Sequence, residues 1–149
     1  MKILVAIKGS DGCSKVVKKA QELALLCNGE VTFLTVLSSK YKLIHSKEDF
    51  ERQKKNMEKA KKETEEALNT CSMIYSKCEF KLGQKGLKTR RVIKEGDHPA
   101  EIICQFAKDN DHDLIVIAYN GNNILKNKSL GSNAKKIVNK SESSVLIVK

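Results

Sequence analysis

The sequence predicts an α/β protein with one domain over residues 1–149: an open five-stranded parallel sheet, order 3-2-1-4-5, with helices on both faces. Three observations carry this prediction. Short apolar, β-branched runs alternate with longer segments of helical periodicity, which favours parallel strands joined by right-handed crossovers. A length of 149 residues suits one domain. No linker or internal repeat interrupts the alternation.

The first strand is predicted over Lys2–Ile7, a continuous apolar run typical of a strand that is buried on both faces. A glycine-containing turn follows, in which Ser10 or Asp11 is expected to cap the next helix. Asn28 and Gly29 end that helix, since both residues tolerate the left-handed conformation of a C-cap. Its apolar face is predicted to be Val16, Ala20, Leu23, Ala24 and Cys27.

The second strand is predicted over Val31–Leu37, and a long charged helix from Glu48 to about Cys78. The charges of that helix are interpreted as a solvated face above a narrow buried stripe. The stripe is predicted to contain Phe50, Met57, Ala60, Thr64, Ala67, Leu68, Cys71 and Tyr75.

Leu87–Lys94 is predicted as a third strand at a sheet edge, because its four basic side chains discourage pairing with other chains. Pro99 suits the first turn of the next helix, where a missing N–H costs nothing. The inner face of that helix is predicted to be Ile102, Ile103, Phe106 and Ala107.

Leu114–Ala118 is predicted as a fourth, buried strand, followed by a loop that contains glycine and asparagine. Ser132 is expected to cap the last helix. Val145–Val148 is predicted as the final strand. The inner face of the last helix is predicted to be Ala134, Ile137 and Val138.

The net charge of +10 invites a nucleic-acid interpretation. We nevertheless expect no nucleic-acid partner, because aromatic residues make up only 5% and offer few stacking platforms. The basic residues are also spread along the chain. No apolar run is long enough to cross a membrane, and the N-terminus lacks the features of a signal peptide. We therefore expect a cytoplasmic protein.

The cysteines and histidines do not form a metal-binding pattern. The five cysteines include no C-x-x-C pair, which favours reduced thiols over a zinc site. His45, His98 and His112 are far apart in the sequence and are each expected at the surface. We assign no metal ligands.

The most unusual loops are Lys8–Gly12 and Tyr119–Ser132, and both follow strands that flank the point where strand order reverses. Ligands of open parallel sheets bind beyond the carboxyl ends of the strands at this point. Gly121 and Gly131 can expose backbone amides, and Ser132 stands where a helix begins, so this loop could bind phosphate. The alternative is a plain strand–loop–helix connection with a serine cap.

Five segments, taken in order, resemble the universal stress protein family. Each is weakly specific, but together they extend over nearly the whole chain. They are the opening strand with its Gly9-Ser10 turn, Gly96–Ile103, Asp113–Ala118, Leu130–Ser132 and Ser144–Lys149. The resemblance implies a Rossmann-like fold of the adenine nucleotide alpha hydrolase type.

The nucleotide-binding branch of that family carries glycine, two residues, glycine, nine residues, then glycine and serine or threonine. Gly121, Gly131 and Ser132 match the later parts of this motif with the spacing kept. The resemblance implies that these residues cradle the phosphates of ATP, with which Mg²⁺ could bind.

The same resemblance places Ala6, Ile7 and Val36 near the adenine. It assigns three more positions to the site with residues that differ from the usual ones. Ala118 stands where the motif has its first glycine, Lys8 where an aspartate is usual, and Asn133 where an apolar residue is usual. An ammonium group only donates hydrogen bonds, so Lys8 cannot accept from a ribose or from the adenine amine.

The expected function is a stress-response regulatory module that binds ATP or a related adenine nucleotide without dedicated catalysis. The alternative is an interaction protein of the same fold without a nucleotide, motivated by Lys8 and Ala118. A nucleotide hydrolase is disfavoured, because Asp11 is the only carboxylate in the two loops, and we assign no catalytic residue. The resemblance also implies a homodimer through Val145–Val148, besides an unidentified protein partner; an alternative is a monomer whose final edge is shielded.

Overall fold

The fold has the predicted architecture. The computed structural model describes residues 1–7, 12–37, 47–119 and 130–149. Its elements are β1 (Lys2–Ala6), α1 (Cys13–Cys27), β2 (Glu30–Leu37), α2 (Lys47–Gln84), β3 (Thr89–Glu95), α3 (Pro99–Asp109), β4 (Leu114–Ala118), α4 (Ser132–Lys140) and β5 (Ser144–Val148). They form a sheet of order β3-β2-β1-β4-β5 with every neighbouring pair parallel. The predicted fold class and strand order are confirmed.

Two apolar layers cover the sheet, one on each face. On one face α1 and α2 pack over β1 and β2, where the rings of Phe33 and Tyr75 stack with centroids 4.3 Å apart. On the other face α3 and α4 pack over the same strands through residues such as Ile103 and Ile137. Neighbouring residues of one strand therefore serve different layers: Val5 belongs to the first and Leu4 to the second.

The N-cap of α1 differs from the prediction. The helix begins at Cys13 with Gly12 as its N-cap, at φ 75°. Ser10 and Asp11, the residues expected to cap it, lie outside the described residues. The C-cap is Asn28 in the left-handed conformation, as predicted. Cys27, the last residue of the helix, was wrongly placed on the buried face, since it is exposed.

The predicted stripe of α2 is confirmed at Cys71 and Tyr75, and it continues beyond the predicted end of the helix to Leu82. The helix therefore extends to Gln84 rather than to about Cys78. Leu68 is half-buried. The other predicted members have side chains outside the described part of the chain: Phe50, Met57, Ala60, Thr64 and Ala67.

The start of α4 also differs from the prediction. Gly131 is the N-cap, and Ser132 is the first residue of the helix. No side-chain hydrogen bond caps this helix start among the described residues. Ala134 and Ile137 are buried as predicted, whereas Val138 is 45% exposed. A helix of nine residues presents only one narrow face to the sheet, and Val138 lies beyond it.

His112 was wrongly expected at the surface. Its side chain is 6% exposed, because it lies beneath α3 at the start of β4. Its Nε2 atom is 3.1 Å from the hydroxyl oxygen of Thr32. His98 is exposed as predicted, and His45 lies outside the described residues.

Candidate functional site

A cavity of about 200 Å³ opens at the carboxyl ends of β1, β2 and β4, between α3 and α4. This is the predicted place in the sheet. Seven of the nine predicted site residues line it: Ala6, Ile7, Val36, Ala118, Gly131, Ser132 and Asn133. The other two, Lys8 and Gly121, lie outside the described residues. That any of them contacts a nucleotide stays a prediction.

The floor of the cavity is apolar. Across it Ala6 is in register with Leu34 on one side and with Ile117 on the other. Because alanine is shorter than its two neighbours, the sheet surface is lowest at Ala6, and the helices cannot fill the gap. Ala134 is the corresponding small residue on α4.

Sequence reasoning missed half of this lining. The missed residues are Leu34, Pro99, Ile103, Ile117, Tyr119, Ala134 and Ile137. A signal for two of them was present: residues that follow the same alternation as Ala6 at the ends of adjacent parallel strands must share its face. The helical members depend on how α3 and α4 rotate against the sheet, which no local pattern specifies.

The rim beside α4 is polar and suited to an anion. The amides of the first helical turn, from Ser132 to Ala134, have no acceptor within the helix, and they carry the positive end of its dipole. That first turn contains no acidic residue. The N–H of Gly131 donates to the carbonyl oxygen of Tyr119 at 3.4 Å, a long hydrogen bond.

Tyr119 connects the cavity with the end of the chain. Its N–H donates to the carbonyl oxygen of Val148 at 2.9 Å, and the Nζ atom of Lys149 lies 5.2 Å from the centre of its ring. Tyr119 also lines the cavity. The ammonium group of Lys149 therefore adds positive charge close to the rim.

Ala118 packs away from the cavity floor. Its side chain belongs with the apolar layer of α1, whereas the preceding residue, Ile117, belongs with the layer of α3 and α4. A Cβ built on Gly12 would lie 3.4 Å from the Ala118 Cβ, and Gly12 has a φ of +75°. The methyl group of Ala118 therefore points towards the start of α1.

Within the described ranges, no group of three or more His, Cys, Asp or Glu side chains is placed to hold a metal ion. None of the described helices is long and apolar enough to cross a membrane.

Comparison with known proteins agrees with this architecture. The family model described as the universal stress protein family matches residues 1–149. The universal stress protein UspA from Lactobacillus plantarum is 20% identical, with a TM-score of 0.75 over 100% of this chain and 97% of that one. A universal stress protein from Archaeoglobus fulgidus is 23% identical, with a TM-score of 0.68 over 100% and 98%. Its structure in complex with dAMP matches at 24% identity and a TM-score of 0.60, over 100% and 98%.

Proposed function

Because the chain belongs to the universal stress protein family, we propose that it is a stress-response regulatory protein that binds ATP or a related adenine nucleotide in the cavity beside β1, without dedicated catalysis. The observation that carries the proposal is the convergence of seven predicted residues on one cavity at the carboxyl edge of the sheet. The dAMP complex of the Archaeoglobus fulgidus protein, which shares the fold, supports it.

The size of the cavity indicates that only part of the nucleotide lies inside it. Ligand pockets for whole drug-sized molecules are usually about 300–1,000 Å³, so a cavity of about 200 Å³ suits one part of a nucleotide. Its apolar floor around Ala6 and Val36 suits a flat base. The phosphates then lie at the polar rim, against the first turn of α4.

Gly131 supports the position of the phosphates. Its φ of −57° and ψ of 153° are accessible to any residue, and among the described residues an added Cβ would meet only the carbonyl oxygen of Tyr119, at 3.9 Å. The described part of the fold therefore does not require glycine here. A close approach of a ligand to the backbone would require it.

Calorimetric titration with ATP and Mg²⁺ tests the proposal. We expect binding by the native chain and a loss of about tenfold or more in Gly131→Val, because amide hydrogen bonds to a charged phosphate are each worth about 1.5–3 kcal/mol. Gly83→Val is the matched control, because an added Cβ there has open space and Gly83 is remote from the cavity. A folded native chain that gives no heat at high micromolar ATP would overturn the proposal.

A second candidate is an interaction protein of the same fold without a nucleotide. It is favoured by the hydrogen bond that already engages the Gly131 amide, and by Lys8 and Ala118 at motif positions. It predicts that Lys8→Asp gains ATP affinity over the native chain. Tight binding by the native chain would exclude it.

The proposal extends to assembly and location. We propose a cytoplasmic homodimer in which β5 pairs with its copy across a two-fold axis. Among the described strands β5 pairs with β4 alone, so no described strand pairs with its other edge. An unidentified protein partner would respond to the nucleotide state.

A further inference from the structure

Two cysteine thiols lie side by side between α1 and α2. Cys13 is the first residue of α1 and is 0% exposed; Cys71 belongs to α2 and is 4% exposed. The Cys13 thiol donates a hydrogen bond to the Cys71 sulfur. The two residues come from distant parts of the chain, so only the packing of α1 on α2 brings them together.

Their surroundings distinguish them from an ordinary buried thiol. The hydrogen bond from Cys13 lowers the pKa of Cys71 to about 7, although burial opposes this. The same hydrogen bond, together with burial, raises the pKa of Cys13. Cys78 lies in the same apolar layer, where burial raises its pKa to about 11. Cys71 is therefore the more acidic thiol of the pair, with the Cys13 thiol beside it.

We infer that Cys13 and Cys71 are a modification site at which hydrogen peroxide forms a disulfide joining the start of α1 to α2. The inference is independent of the nucleotide proposal, because it depends only on the contact between these two helices. A disulfide needs an S–S distance of about 2 Å, so the two neighbouring sulfurs must move closer together.

The chemistry balances with peroxide as the oxidant. The Cys71 thiolate attacks one peroxide oxygen, the O–O bond breaks, and the departing hydroxide takes up a proton as water. The sulfur of Cys13 then attacks the sulfenic acid on Cys71, the S–O bond breaks, and hydroxide leaves with the Cys13 proton as a second water. Two thiols lose two electrons, and one peroxide gains them.

Peroxide reaches the pair through the first turn of α1. Among the described residues, this turn has glycine at its N-cap and no side-chain cap hydrogen bond, and none of its helical residues is acidic. Cys13 is the first residue behind that weakly stabilised end. Helix ends of this kind open locally at little cost in free energy, so the thiols become accessible without global unfolding.

Peptide mapping of the peroxide-treated native chain tests the inference. The folded protein is oxidised, the remaining thiols are alkylated in denaturant, and unreduced peptides are analysed by mass spectrometry. We expect a cross-linked peptide pair that contains Cys13 and Cys71, lighter than the two reduced peptides by two hydrogen atoms, while Cys78 is recovered alkylated. The same treatment in urea should give mixed pairings, because the fold no longer selects one.

Variants provide the controls. Cys13→Ser and Cys71→Ser should each abolish the cross-linked pair, whereas Cys78→Ser and Cys27→Ser should retain it. Cys27 is exposed, so its oxidation shows that the peroxide was active. Recovery of both Cys13 and Cys71 as alkylated thiols, in a sample where Cys27 is oxidised, would overturn the inference. The map of the native chain decides the question even where a variant fails to fold.

Discussion

At the scale of single residues, His112 is an ionisable side chain that the fold buries. Its ring lies 5.7 Å from that of Phe106, and its Nε2 atom is 3.1 Å from the Thr32 hydroxyl. Burial, and secondly the positive charge of Arg90, lower the pKa of His112 below its ordinary 6.5; Lys2 acts in the same direction and Asp113 against it. The folded protein therefore holds this imidazole neutral.

This makes the free energy of unfolding depend on pH. Near pH 6.5 the unfolded chain takes up a proton that the folded chain does not, so stability is fully present above that pH and decreases below it, by up to about 1.4 kcal/mol per pH unit. In urea unfolding at pH 7.5 and pH 5, we expect His112→Gln to lose less stability on acidification than the native chain. The exposed His98→Gln should behave like the native chain. An identical loss in all three proteins would contradict this assignment.

The burial of His112 was not predictable from its neighbours in the sequence, because its partner Thr32 is 80 positions away. The burial of Ala6 and Ile7 was predictable, since both end an apolar run that is visible in the local sequence. The capping role expected of Ser132 failed for a different reason. The preceding glycine takes the N-cap position, which moves the serine one step into the helix.

At the scale of elements, one arginine joins α2 to the edge strand β3. The guanidinium of Arg91 donates to both carboxylate oxygens of Glu79, at 2.7 and 2.8 Å. It also donates to the hydroxyl oxygens of Ser72 and Ser76, at 2.7 and 3.0 Å. It lies 5.4 Å from the ring centre of Tyr75. These contacts span two turns of α2, so Arg91 fixes both the position and the rotation of the helix.

Removing this contact should loosen α2 selectively. We expect Arg91→Ala to lower the free energy of unfolding by about 1–2 kcal/mol, because it removes charge-assisted hydrogen bonds from partly exposed groups. Hydrogen exchange in the part of α2 around Cys78 should accelerate. Arg91→Lys should recover less than half of the loss, since an ammonium cannot bind both carboxylate oxygens in the same way.

Arg90 offers the matched control, since it points to the opposite face, over Phe106. Arg90→Ala should leave exchange in α2 unchanged. Equal acceleration by both alanine variants would mean that the strand, and not the Arg91 contact, holds the helix.

Element types followed from periodicity, but several element ends did not. The buried stripe of α2 continues to Leu82 because Leu82 packs in the same apolar layer as α1 and the sheet. This contact depends on tertiary structure, which the local sequence pattern does not show. The edge position of β3 was predictable, because its basic side chains would be costly in a strand with neighbours on both sides.

At the scale of the whole molecule, we propose that assembly occurs through the edge of β5 that lies away from β4. The N–H of Ser144 and the carbonyl of Val148 point to the β4 side, so by alternation the backbone groups of Val145 and Ile147 face the free edge. A two-fold axis at this edge, perpendicular to the strand, would pair these groups with the same groups of a second copy.

Val145→Pro tests the proposed dimer, because it removes one outward N–H and leaves the ladder with β4 complete. We expect a dimer for the native chain in sedimentation equilibrium, and a shift to monomer for Val145→Pro. Val145→Ala, which shortens the side chain but keeps the N–H, should remain a dimer. A native chain that is monomeric at tens of micromolar would count against β5 pairing.

The strand order placed the cavity correctly from the sequence alone, because parallel strands present all their carboxyl ends at one edge. Its depth was not predictable. Depth depends on Ala6 being set between Leu34 and Ile117, a register that only the assembled sheet defines.

β4 lies between the buried His112 and the cavity in which we propose that a nucleotide binds. The strand is five residues long, roughly 17 Å, with the acid-sensitive His112 before its start and Tyr119 of the cavity after its end. Given the proposed ligand, a hundredfold excess over Kd adds about 2.7 kcal/mol to the folded state. In a starved and acidified cell, the protein without bound nucleotide would be the first to unfold and be degraded. The amount of folded protein would then depend on the nucleotide concentration.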